Sequence, residues 1–101
     1  MKSFEYLKIL REISKNPFSN QRTLAKDLEL SLGKINFIIK SLKKKGLIKI
    51  KNFNKSNNKL KYTYILTAQG LSSKTKLTIA YLKKISKEYE DLQKELPKIN
   101  E

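Results

Sequence analysis

The sequence predicts a mainly α-helical domain with one small β-hairpin, closed by a long C-terminal helix. Three observations carry this. Apolar residues recur at helical spacing through residues 4–13, 24–28 and 35–42. After Gly46 the apolar period switches to two. From Leu82 to Ile99 a stripe repeats at intervals of three and four.

Each element has its own punctuation. Ser3 is placed to cap a first helix with Phe4, Leu7, Leu10 and Ile13 on one face, and Asn16-Pro17 ends it, because a residue before proline avoids the helical region. Ser19 is expected to cap a second helix over 20–28, with Leu24, Ala25 and Leu28 inward. Ser31 caps a third over 32–45, whose inner face is Ile35, Ile38, Ile39 and Leu42. Lys43-Lys44-Lys45 suit the negative end of that helix dipole, and Gly46 stops it. Leu47 to Lys51 alternate as a strand, and Leu60 to Leu66 form a second, rich in β-formers. The polar stretch Asn54 to Lys59 is the tip between them. Thr67 caps a last helix over roughly 68–96, with Gly70 weakening its first turn and Pro97 ending it.

Composition narrows the chemistry. With 101 residues there is room for one domain. The absence of Cys and His removes disulfides, thiolate and imidazole metal sites and the usual nucleophile–base pairs. No apolar run approaches the roughly 20 residues of a membrane span. The expectation is a cytoplasmic protein with no metal, no cofactor and no enzymatic activity. The carboxylates read as solvated helix faces, several within reach of Lys at i±4.

Net charge is +14, from 23 basic and 9 acidic residues. Such a balance implies a polyanionic partner, nucleic acid or an anionic surface. Only Arg11 and Arg22 are arginine, and an A+T-rich genome would inflate Lys, so placement counts for more than the total. Residues 31–70 hold ten Lys and no acid, whereas the flanking segments are each only +2. Because this block lies on a folded motif and not on an amphipathic anchor, a membrane role is disfavoured.

The second and third helices, joined by Glu29-Leu30-Ser31, form a helix-turn-helix. Glu29 stands where such turns often carry Gly to reach a left-handed backbone. Followed by a hairpin, the unit reads as a winged helix, in which the third helix enters the DNA major groove. At 100° per residue its outward face holds Gly33, Phe37, Lys40 and Lys44, flanked by Lys34, Asn36 and Ser41. Gly33 permits close approach to the DNA backbone, and Ser31 with the helix N-terminus can meet a phosphate. Asn36 suits adenine, Lys34 or Lys40 guanine or phosphate, and Phe37 a thymine methyl. Gln21, Arg22 and Thr23, opening the second helix, are placed for backbone phosphates. The wing adds Lys49, Lys51, Lys55, Lys59 and Lys61 with Asn57-Asn58 at its tip, basic residues suited to phosphate contact.

The stripe Leu82, Ile85, Tyr89, Leu92, Leu96 and Ile99 is an a/d seam, narrower than the face a globular core buries, and points to pairing with a second copy. Thr78, Thr75 and Leu71 extend it weakly toward the domain. The e and g positions, Ser86, Gln93, Glu88 and Glu95, give no charge code for strand direction.

Several runs carry a family likeness: Ser19 to Leu28, Leu30 to Phe37, Lys45 to Lys49, and Leu66-Thr67-Ala68-Gln69-Gly70. Together they resemble the MarR-type winged-helix regulators. The run Ser31 to Phe37, Lys51-Asn52-Phe53 and the strand Tyr62 to Thr67 are similar, more narrowly, to the small exopolysaccharide-associated MarR regulators. The resemblance spans roughly residues 5 to 95. It implies a bacterial homodimeric transcription regulator binding double-stranded DNA, with surface-polysaccharide genes among its targets. Larger MarR proteins carry a helix before the position of residue 4, so pairing here is expected to lean on the last helix. The resulting division is a DNA-binding unit over 1–70 and a dimerisation helix over 71–101. Alternatives are an RNA- or ribosome-associated winged helix and a protein-interaction adaptor.

Overall fold

The computed structural model describes residues 3–54 and 60–97. The order is α1 (Ser3–Lys15), α2 (Gln21–Leu28), α3 (Leu32–Lys44), β1 (Ile48–Asn54), β2 (Leu60–Leu66) and α4 (Ala68–Glu95). α1 already includes Ser3, which the sequence placed at the cap. β1 and β2 pair antiparallel from Ile48 opposite Leu66 to Asn54 opposite Leu60, so the first strand runs three residues past the expected end at Lys51. No helix among the described residues is long and apolar enough to cross a membrane.

Most of the core comes from residues the periodicity selected; Ile9, fully buried on α1, was not among them. Ile9, Leu10, Ile13, Leu24, Ile35, Ile38, Ile39 and Leu42 are buried together with Ile48 and Tyr64. Ala25, Leu28, Leu30 and Leu77 pack against this cluster from its edges. β2 is also tied to the α1–α2 loop, where the Tyr64 amide donates to the Pro17 carbonyl at 2.9 Å.

α2 starts one residue later than Ser19 as its cap requires. Asn20 is the N-cap: its side chain accepts from the Thr23 amide at 2.8 Å, and Thr23 Oγ1 accepts from the Asn20 amide at 3.0 Å. This reciprocal box satisfies two otherwise unpaired amides. Ser19 is instead buried.

Two helices end in the same motif. After α3, Gly46 takes φ +75°, its amide donates to the Lys43 carbonyl, and the Leu47 amide donates to the Leu42 carbonyl at 2.9 Å. After α2, Glu29 takes φ +56°, with its amide on the Lys26 carbonyl and the Leu30 amide on the Ala25 carbonyl at 3.0 Å. Both are Schellman closures, and a left-handed residue is their hinge. The turn of the helix-turn-helix is therefore made by a glutamate in a conformation that costs an L-residue about 1–2 kcal/mol.

The junction to α4 explains Leu66-Thr67-Ala68-Gln69-Gly70. Thr67 Oγ1 accepts from the Gly70 amide as N-cap and donates to the Gly46 carbonyl at 2.6 Å. The Thr67 amide donates to the Leu47 carbonyl at 3.0 Å. Gly70 is buried, and a methyl group there would overlap the Leu47 carbonyl oxygen. Gly70 is thus required by the close approach of α4 to the α3–β1 link, more than it weakens the helix start.

α4 then leaves the domain. Its first half packs through Gly70 and Leu77, and Tyr81 meets the Phe4 ring edge-on at 5.0 Å. Beyond Lys84, whose ammonium lies 5.3 Å from the Phe4 ring centre, every described residue is exposed. The molecule measures 67 × 26 × 23 Å, and its radius of gyration of 17.9 Å exceeds the about 13 Å of a compact 100-residue domain.

Candidate nucleic-acid interface

α3 presents its outward face to solvent. Gly33, Asn36, Phe37, Lys40, Ser41 and Lys44 line one shallow open depression. Phe37 is 60% exposed, so this aromatic ring does not fold back into the core. Lys40 and Lys44 are also exposed. Ser31 caps the helix, accepting from the Lys34 amide at 3.1 Å.

Gly33 is informative for what does not surround it. A β-carbon built there would meet no other atom within 4 Å. The fold imposes no packing demand for glycine at this position, and the absence of a side chain leaves the helix backbone open to a close ligand.

Lys34 has another allegiance. Its ammonium lies 3.1 Å from Glu5 Oε2 on α1, with the carboxylate largely buried. The lysine expected to contact base or phosphate is turned toward α1, with its side chain still partly exposed. Lys45 similarly stands 5.2 Å over the Tyr6 ring.

The opening of α2 is also partly engaged. Thr23 Oγ1 serves the capping box and donates to the Asn20 carbonyl at 2.9 Å. The Gln21 side chain lies near the Tyr64 phenol, between α2 and the wing. Arg22 is exposed. Burial pushes the Tyr64 phenol above its usual pKa, and the Gln21 contact offsets part of that rise. Asn20 and Tyr64 are positioning residues that the sequence reading passed over. The spacing Asn20-x-x-Thr23 was the available signal for the first.

On the wing, Lys49 and Lys51 are exposed on the face opposite Ile48 and Ile50. Lys61 lies on β2, paired with Phe53. Lys55, Asn57, Asn58 and Lys59 fall outside the described residues. Of the pairing stripe, Leu82, Ile85, Tyr89, Leu92 and Leu96 are all exposed; Ile99 falls outside the described residues.

A helix pair with an exposed second helix, followed by an antiparallel hairpin, is now in place, and the sequence profile of winged helix-turn-helix DNA-binding domains matches residues 7–49. The fold is a winged helix-turn-helix. Solved structures share it. A MarR family transcription regulator superposes with a TM-score of 0.66 at 21% identity, over 85% of this chain and 56% of that one. The PcaV transcriptional regulator from Streptomyces coelicolor, in complex with its natural ligand, gives 0.66 at 18% identity, over 92% of this chain and 62% of that one. Lactococcus lactis ZitR gives 0.67 at 19% identity, again over 92% and 62%. At these identities the likeness establishes the winged-helix fold, and the chain spans less than two thirds of each of these proteins. A search of curated proteins finds no match.

Proposed function

We propose that this winged helix-turn-helix is a sequence-specific transcription regulator that binds double-stranded DNA as a homodimer. One observation carries the reading. The outward face of α3 gathers an open glycine, an amide, an exposed aromatic ring and two lysines in one depression, on a helix whose other side is fully used by the core. That set offers close approach at Gly33, adenine recognition at Asn36, methyl contact at Phe37 and charge at Lys40 and Lys44. Arg22, Ser31 and the wing lysines Lys49, Lys51, Lys55, Lys59 and Lys61, with Asn57 and Asn58, supply phosphate contacts around it. Gln21 and Thr23, at the opening of α2, offer further backbone phosphate contacts.

Residues 1–70 act as the DNA-reading unit, and 71–101 pair two copies through Leu82, Ile85, Tyr89, Leu92 and Leu96. Two α3 helices then enter successive major grooves about 34–36 Å apart. The chain works by binding and not by catalysis. Control of surface-polysaccharide genes follows from the narrower resemblance of Ser31 to Phe37 and Tyr62 to Thr67.

Selection of duplexes from a random pool, followed by binding titrations, tests this. The expected result is a pseudo-palindromic preference with a steep salt slope, near −0.9 per neutralised phosphate. Asn36→Ala should reorder the preferred sites. A flat salt dependence, or tighter binding to structured RNA than to duplex, overturns the reading. Sequencing the DNA that co-purifies with the protein identifies the target genes.

A further inference from the structure

We propose that two copies of α4 pair antiparallel, with the two-fold axis near Ile85 and Lys74 of one copy facing Glu95 of the other. This rests on the homodimer reading and adds its direction, which the seam residues alone leave open.

The first observation is angular. Gly70, Leu77 and Tyr81 face the domain core. The exposed stripe Leu82, Ile85, Tyr89, Leu92 and Leu96 lies roughly a quarter turn around the same helix at 100° per residue. It is not the core-facing surface running on past the domain. It is a second apolar face, carried backward beside the domain by exposed Leu71 and Thr75. Its repeat of three and four is what a partner helix requires.

The second observation is the flank of that stripe. On the side nearer the domain stand Lys74, Tyr81, Glu88 and Glu95, one per heptad. On the far side stand Ile79, Ser86 and Gln93, all uncharged. In a parallel pair each flank meets the opposite flank of its partner, so Glu88 and Glu95 would face neutral residues. In an antiparallel pair each flank meets its own symmetry mate. With the axis near Ile85, Lys74 meets Glu95 of the second copy, twice by symmetry.

Both charged ends are free to do so. Neither Lys74 nor Glu95 makes an ion pair among the described residues, whereas Lys84–Glu88 and Lys87–Asp91 are paired within the helix. Opposed helix dipoles favour the same direction. The cost is that Tyr89 and Leu92 then cover Thr78 and Thr75, which are less apolar than the outer seam.

The chain has no cysteine, so Ser72→Cys accepts a single spin label at an exposed position of α4. Antiparallel pairing about Ile85 places the two labels about 40 Å apart along the axis at 1.5 Å per residue. Parallel pairing places them within about 25 Å, given helix axes 8–10 Å apart. The expected result is the long distance in a protein that sediments as a dimer. The short distance overturns the antiparallel assignment and leaves the dimer standing. Sedimentation as a monomer overturns the dimer reading itself. In unlabelled protein, Lys74→Glu should weaken the dimer several-fold and Glu95→Lys added to it should restore the affinity. Failure to restore removes the Lys74–Glu95 contact and with it the axis near Ile85.

Discussion

Lys34 on α3 and Glu5 on α1 form an ion pair at 3.1 Å across 29 positions of sequence. It sits beside the depression formed by Gly33, Asn36 and Phe37 and draws one cation away from it. Glu5 thereby holds one lysine of α3 in an ion pair with α1.

Glu5→Gln should release Lys34. Partly exposed ion pairs contribute only about 0.2–1 kcal/mol, so the fold should survive. The log–log salt slope of duplex binding should steepen by about 0.9 as one more phosphate is neutralised. Titrations at four or five salt concentrations measure this. An unchanged slope means that Lys34 does not reach DNA even when freed.

Gly33→Ala should separate folding from binding. Alanine is about 0.8–1.0 kcal/mol better than glycine inside a helix, and the site has open space for the methyl group. Stability in urea should therefore hold or rise. Duplex affinity should fall at least about tenfold, the equivalent of 1.4 kcal/mol, because the methyl group keeps the backbone from its ligand. Unaltered affinity would show that α3 does not approach DNA through Gly33.

Glu29 and Gly70 should respond in opposite senses. Glu29→Gly relieves a left-handed glutamate and should raise stability by about 0.5–1 kcal/mol. Gly70→Ala forces a methyl group against the Leu47 carbonyl and should lower it by about 1–3 kcal/mol. Thermal unfolding of the two variants measures both. A stable Gly70→Ala protein would mean that α4 can shift away from the α3–β1 link without loss.

Tyr64 gives the fold an alkaline limit. Its phenol titrates higher in the folded protein than in the unfolded chain because burial disfavours the phenolate. The unfolded state then releases its proton first as pH rises. The contribution is fully present below the unfolded value near 10 and is lost as pH climbs through the folded value. Urea midpoints from pH 8 to 11 should fall for the parent protein and fall less for Tyr64→Phe. Parallel declines would show that Tyr64 does not contribute to the alkaline loss.

Much of the candidate site was readable because its signals are local. The inward face of α3, most of that of α1, the Ser31 and Thr67 caps, the Gly46 stop, the strand pairing and the exposure of Phe37 all follow from spacing within a few residues; Ile9 of α1 does not. The sequence marked Glu29 as standing where glycine is usual, and the tertiary structure shows that the glutamate itself takes the left-handed backbone. The cap at Asn20 was equally local but lay beside Ser19, a residue of the same capping class, and only the reciprocal bond to Thr23 distinguishes them.

The sequence by itself determined the elements, their order, the apolar core and the concentration of lysine in the middle third, since these depend on periodicity and on neighbours along the chain. The tertiary structure alone decided that Lys34 belongs to Glu5, that Gln21 stands near Tyr64, and that Gly70 makes room for the Leu47 carbonyl. It also decided that the α4 stripe stands a quarter turn from the domain. Each of these depends on the angle and distance between elements brought together by burial, and helical or strand spacing carries no record of either.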